Sequence, residues 1–240
     1  MTTANIYYKL SCFGDYSSIT YNKSDVIRVL GEFDNPTFAP SVIQEIAPSG
    51  TVSQRMQFST QNGLFVININ STRIDVTVTS AKKNGFSGHE KSKAKDDLYE
   101  SMVKILDIIN DRVDKPNRLA WNLAYTVFDL TEEEKTKYIS KFLKPIDYFK
   151  EDPLDDVLIR YSTRKEYALG DQQERINILT TIVNFISAPE TVDEIKGFKI
   201  DYDINTWQDN KKSRFEPKTI KAFIEKSIEI QNKLNEVMLP

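Results

Sequence analysis

Between residues 52 and 80 apolar and polar positions exchange places with a period of two. The alternation is cleanest at the end, where Ile74, Val76 and Val78 share one side and Arg73, Asp75, Thr77 and Thr79 the other. That period predicts three strands, at 52–60, 64–70 and 73–80, with one face in water. Asn62-Gly63 supplies a hairpin signal between the first two. Such a meander needs cover on its apolar side. Leu98, Met102, Ile105, Leu106, Ile109 and Val113 recur at helical spacing directly afterwards, up to Lys115-Pro116.

The flanking segments follow the same two periods. Residues 6–13 read as a strand, and Val26, Ile27, Val29, Leu30 and Phe33 as a short helix with Ser24 as its N-cap. Asn35-Pro36 and Ala39-Pro40 force extended or turn geometry before 41–47, and Pro48-Ser49-Gly50 is a turn. A strand is expected at 118–128. Thr131 and Glu134 then form a capping box for a helix with Tyr138, Phe142 and Leu143 on its apolar side, stopped by Pro145. The acidic, Pro-containing stretch 147–156 reads as a linker. Strands are expected at 157–169, 176–186 and 197–206, and a long helix at 217–238.

Three strands and a long helix thus occur at 52–113 and again at 157–238. The expected fold class is α+β, with antiparallel sheet and long helices packed on one face. The chain divides either into two strand-strand-strand-helix halves, 1–146 and 157–240, or forms one continuous domain.

Composition narrows the chemistry. The 240 residues contain one histidine, His89, and one cysteine, Cys12. A serine–histidine triad or cysteine–histidine pair would have to use one of these two, and a zinc site needs three or four nitrogen, sulfur or oxygen ligands, usually including several His or Cys. No cofactor is expected, and a non-enzymatic role is. One cysteine forms no intrachain disulfide, which with the absence of a leader-like start points to a cytoplasmic setting. No apolar run approaches membrane-spanning length. With 32 basic and 35 acidic residues the net charge is −3, which gives no global field for a polyanion.

Three local constellations remain. The loop at 82–95 gathers Lys82, Lys83, Gly85, Gly88, His89 and Lys91 ahead of a helix, a composition able to hold an anion or nucleic acid, although its spacing is neither GxxxxGK[ST] nor GxGxxG. A solvated connection explains the same residues. Asp201 and Asp203 lie two apart in a strand and project from one face, so they could hold Mg²⁺ if Asp155, Asp156 or Asp193 joined them. In the last helix Ile220, Phe223, Ile230 and Leu234 follow a seam that packs on the sheet or pairs with a second copy as a homodimer. Trp121 and Trp207 are candidates for core packing, stacking or an interface.

The stretches Pro40–Ile46, Gln57–Val78 and Phe198–Asn205, the last with its Ile-Asp-x-Asp-like run before a final long helix, resemble in layout a sporadically distributed family of bacterial and phage proteins without an assigned activity. That resemblance implies an accessory protein, such as an inhibitor or component in phage–host conflict. The expected function is therefore non-enzymatic binding of a protein partner. Nucleotide or nucleic-acid binding through the 82–95 loop and a Mg²⁺-dependent enzyme at Asp201 and Asp203 are the alternatives.

Overall fold

The computed structural model describes residues 1–33, 37–47, 49–143, 156–187 and 195–239. The chain runs β1 (Thr2–Phe13), α1 (Lys23–Gly31), β2 (Phe38–Ile46), β3 (Val52–Thr60), β4 (Phe65–Ile69), β5 (Arg73–Thr79) and α2 (Gly88–Ile109). It continues with β6 (Arg118–Phe128), α3 (Glu132–Ser140), β7 (Leu158–Leu169), β8 (Gln172–Ser187), β9 (Ile195–Thr206) and α4 (Pro217–Met238). The fold is α+β, as the two periods imply.

All the strands belong to one nine-stranded sheet, in the order β2-β3-β4-β5-β1-β6-β9-β8-β7, with antiparallel neighbours throughout. The centre is the pairing of β1 with β6. On either side the element order is alike: a strand, a short helix, a run of antiparallel strands returning toward the first, and a long helix. The sheet is continuous across the division at 146–157, because β6 is bonded to β9. The expected linker lies almost wholly outside the described residues.

Alternation decides which side each residue takes. Tyr8, Leu10 and Cys12 on β1, Leu119, Trp121, Leu123, Tyr125 and Val127 on β6, and Ile200, Tyr202 and Ile204 on β9 face the helices and are buried. Helix α2 lies on β5 and β1, and α4 on β6 and β7. Helix α1 packs on α2, and α3 reaches the same face through Tyr138, stacked 5.3 Å from Phe198. All four described helices therefore cover one face.

Three sequence expectations change. The N-cap of α1 is Asn22, whose carbonyl oxygen accepts from the Asp25 N–H at 2.9 Å, and not Ser24. Asp25 is then free to pair bidentately with Arg112, at 2.8 and 3.0 Å. Helix α2 starts ten residues before Leu98, at Gly88, and takes Lys91, Lys93 and Lys95 into its first turns. The seam of α4 is core: Ile220 and Phe223 are wholly buried, Ile230 nearly so, and Leu234 packs partly buried against them. A second copy cannot reach the three buried residues while the sheet holds α4 in place, which corrects the homodimer reading of this helix.

Candidate interaction surface

The opposite face of the sheet carries no helix among the described residues. Its residues are the other half of each alternation: Tyr7, Lys9, Ser11 and Phe13 on β1; Arg73, Asp75 and Thr77 on β5; Arg118 and Asn122 on β6; Asp201, Asp203 and Asn205 on β9; Arg175, Asn177 and Leu179 on β8. Most are half-buried by their neighbours and reach solvent from above.

Register places them in lateral rows. One row takes a residue from every strand: Ser41, Gln57, Asn68, Asp75, Ser11, Ala120, Asn205, Asn177 and Arg164. Its polar members bond along the row. Ser41 donates to Gln57 at 3.0 Å, the Gln57 amide to Asn68 at 2.7 Å, Ser11 to Asp75 at 2.5 Å, and the Asn177 amide to Asn205 at 3.1 Å. Such bonds fix side-chain orientation before any partner arrives.

The next row toward one end of the strands is built of arginine and aromatic rings. Phe13 lies directly between Arg73 and Arg118 in the register. The two guanidinium carbons sit 5.7 and 4.5 Å from its ring centroid. Trp207 continues the row beyond Arg118, its N–H bonded to the Arg175 carbonyl at 2.9 Å. Arg175 and Arg164 stand 5.3 and 4.5 Å from the indole centroid. The row thus reads Arg73, Phe13, Arg118, Trp207, Arg175, with Arg164 alongside. Cations over aromatic faces hold both groups in place while leaving the edges of each to solvent.

The polar row steers the arginines. Asp75 takes Arg73 at 2.7 Å, and Asn205 accepts from Arg118 at 3.2 Å while donating to Asp203 at 3.0 Å. Burial holds the Arg118 guanidinium below its ordinary value; the charge of Asp203 opposes this and that of Arg73 adds to it. Neither Arg118 nor Arg164 has a carboxylate in ion-pair contact among the described residues. Two guanidiniums are therefore positioned on this face without a carboxylate in direct contact.

The residues singled out from the sequence fall elsewhere. Gly85 makes the turn before α2 with φ +71°, and a Cβ there would lie 2.2 Å from the Asn5 carbonyl oxygen, so this loop is pressed onto β1. The helix N-terminus that might have held an anion holds Glu90. That carboxylate accepts from the Ser87 N–H at 2.8 Å and from Lys82 at 2.5 Å. The Lys82 bond, with those to Ser87, draws the Glu90 carboxyl down to about 2. Lys83 lies 5.7 Å from the Phe128 ring centroid, and Gly88, His89 and Lys91 sit in the first turn of α2, His89 exposed. The chain's own Glu90 carboxylate thus occupies the helix N-terminus on which the anion-site reading rests.

Asp201 and Asp203 do share the open face. Asp201 pairs with Lys199 at 2.9 Å and accepts from the Tyr7 hydroxyl at 3.5 Å, whereas Asp203 is bound to Asn205. No grouping of three His, Cys, Asp or Glu side chains occurs among the described residues. Asp155 and Asp193 lie outside them. Cys12 is fully buried against the helices, where desolvation first and the charge of Asp75 second push its thiol far above the usual range.

The two tryptophans separate. Trp121 is fully buried, while Trp207 is half-buried in the arginine row. Sequence reasoning passed over Phe13, Arg73, Arg118, Arg164 and Arg175. The available signal was parity, since Trp207 falls in step with Asp201, Asp203 and Asn205 rather than with Ile200, Tyr202 and Ile204.

Compared with models of known protein families and with proteins of characterised function, the chain matches none. No helix among the described residues is long and apolar enough to cross a membrane.

Proposed function

We propose that this chain is a non-enzymatic binding protein that receives an acidic protein segment on the uncovered face of its sheet. The observation that carries the reading is the row Arg73, Phe13, Arg118, Trp207 and Arg175. Together with the adjoining Arg164 it combines the residue types in which binding energy concentrates with two guanidiniums, Arg118 and Arg164, that lack a carboxylate in contact among the described residues. A partner carboxylate would meet Arg118 or Arg164 as a charge-assisted, bidentate contact, with an apolar neighbour against Phe13 or Trp207.

A protein partner is favoured over nucleic acid because the same face presents Asp75, Asp201, Asp203 and Glu166. These would repel a continuous phosphate backbone but can pair with a mixed protein surface. The exposed His89 and deeply buried Cys12 fit a role in which no covalent step is performed.

Trp207 is a built-in reporter, since Trp121 is shielded. Titration with an Asp/Glu-rich peptide containing phenylalanine should change the Trp207 fluorescence and saturate. By isothermal titration calorimetry, which does not need the reporter, Arg118→Glu or Trp207→Ala should weaken binding by about thirty-fold, the scale of a hot spot worth ~2 kcal/mol. Binding that survives both substitutions would overturn the assignment of the face. Tighter binding of oligothymidylate than of the peptide, with a steep salt dependence, would overturn the choice of partner.

A further inference from the structure

The two edges of the sheet differ in how they are protected. At one edge, β2 carries Pro40, which cannot donate and interrupts pairing with an incoming strand. At the other, β7 runs twelve residues with neither proline nor glycine, and its outer side has no strand beside it among the described residues. Leu158 is 71% exposed and Tyr161 41%. Only the charges of Arg160, Arg164, Lys165 and Glu166 stand against association there.

Those charges are self-complementary. Set β7 antiparallel to a second β7 about a two-fold axis perpendicular to the sheet, with Thr163 opposite Thr163. Arg160 then faces Glu166 twice, Tyr161 faces Lys165 twice and Ile159 faces Tyr167 twice. All pairs lie on matching faces, because residues of equal parity oppose one another. A shift that centres Ser162 sets Arg160 against Arg164, and one that centres Arg164 sets that residue against itself. Centring Lys165 also puts Glu166 opposite an arginine, but places the two Lys165 ammonium groups face to face.

The groups needed are free to take part. Arg160 and Lys165 have no ion-pair partner among the described residues. Glu166 has one, Arg175, at 3.5 Å with both side chains exposed, and such a pair is weak enough to share. We propose that two copies of this chain join antiparallel along β7 in the register centred on Thr163, which extends the sheet and places the two arginine–aromatic rows on one continuous face.

The register can be trapped, because Cys12 is buried and does not compete. Thr163→Cys should give a disulfide-linked dimer on mild oxidation, since the two introduced thiols face each other across the axis. Arg164→Cys, which lies opposite Ser162, should give far less. In light scattering, Arg160→Glu and Glu166→Arg should each raise the dimer dissociation constant at least about tenfold, and the charge-swapped double variant should restore it. Circular dichroism checks that each variant is folded. A folded protein that stays monomeric at high concentration, equal cross-linking at 163 and 164, or a double variant no better than the singles would each overturn the proposal.

Discussion

The two faces of the sheet are made by the same strands, yet they handle polar groups in opposite ways. On the open face the amides, hydroxyls and carboxylates of Gln57, Asn68, Asp75, Ser11, Asn177 and Asn205 are tied to one another. On the covered face the hydroxyl of Tyr202 and the indole N–H of Trp121 are buried with no hydrogen-bond partner among the described residues. Only Tyr125, among the central aromatic residues, is well supplied, taking Gln231 at 2.9 Å and Asn235 at 3.0 Å from α4. The covered face is held mainly by apolar area, whereas the open face, where Asn177 Oδ1 and Arg118 Nε are also without a partner among the described residues, is organised by hydrogen bonds along its rows. A surface whose polar side chains are already oriented has less conformational freedom to lose on binding.

The largest expected difference between the faces is at the tryptophans. Trp121 is wholly buried between Leu10 and Ile204, with the Tyr8 ring 5.5 Å away. Trp121→Ala should cost about 4 kcal/mol in urea unfolding, through lost burial and the cavity left behind. Trp207→Ala should cost no more than about 1 kcal/mol, because it is only partly buried, on the open face. Equal losses would mean that the open face is packed as a core and is covered by something in the folded protein.

Asp75 should stand between them. It lies on the open face but is buried, accepting from Ser11 at 2.5 Å and pairing with Arg73 at 2.7 Å. Asp75→Ala should lower stability by about 2 kcal/mol, since it leaves a buried hydroxyl and a guanidinium without their acceptor. It should also tighten binding of the acidic peptide, because the repelling carboxylate is gone and the Arg73 charge is freed. A stability loss without any change in binding would separate the polar row from the arginine row.

The elements were legible where their period is strong and their ends are punctuated. The ranges 52–60, 118–128 and 217–238 are found where alternation or helical spacing places them. Pro217 opens α4, and Thr131 with Glu134 caps α3 as expected. The start of α2 was hidden because Ser87 and Glu90, its capping box, stand among lysines and glycines that read as loop. Strand order was not legible at all. Nothing local says that β1 enters between β5 and β6, so Phe13 could not be seen to lie between Arg73 and Arg118, sixty and one hundred and five residues away. Parity assigns each of these residues to a face; only long-range pairing makes them neighbours.

Alkaline titration sharpens the same contrast through the phenols. Burial, and next the nearby Asp201 charge, push Tyr7 on the open face up to about 12. Burial pushes Tyr8 and Tyr202 on the covered face higher still. A raised value in the folded state means that the unfolded chain loses its proton first. The stabilising contribution is complete below about pH 10 and is lost as pH rises through the folded value. Stability should therefore fall above pH 10. Tyr8→Phe should flatten that fall more than Tyr7→Phe, measured by urea midpoints at successive pH values.

The smallest effect is the most discriminating. Tyr202 is 1% exposed, and its hydroxyl has no protein partner. If the covered face is held by apolar contact alone, Tyr202→Phe removes a group that contributes nothing and whose desolvation opposes folding. Stability at neutral pH should then change by less than about 0.5 kcal/mol, in either direction. The equivalent change at Tyr125, which holds Gln231 and Asn235, should cost about 1 kcal/mol or more, because the buried Gln231 amide and the half-buried Asn235 amide lose their acceptor. A loss at Tyr202 as large as that at Tyr125 would show that its hydroxyl is satisfied inside the protein, and the covered face would then be organised by hydrogen bonds no less than the open one.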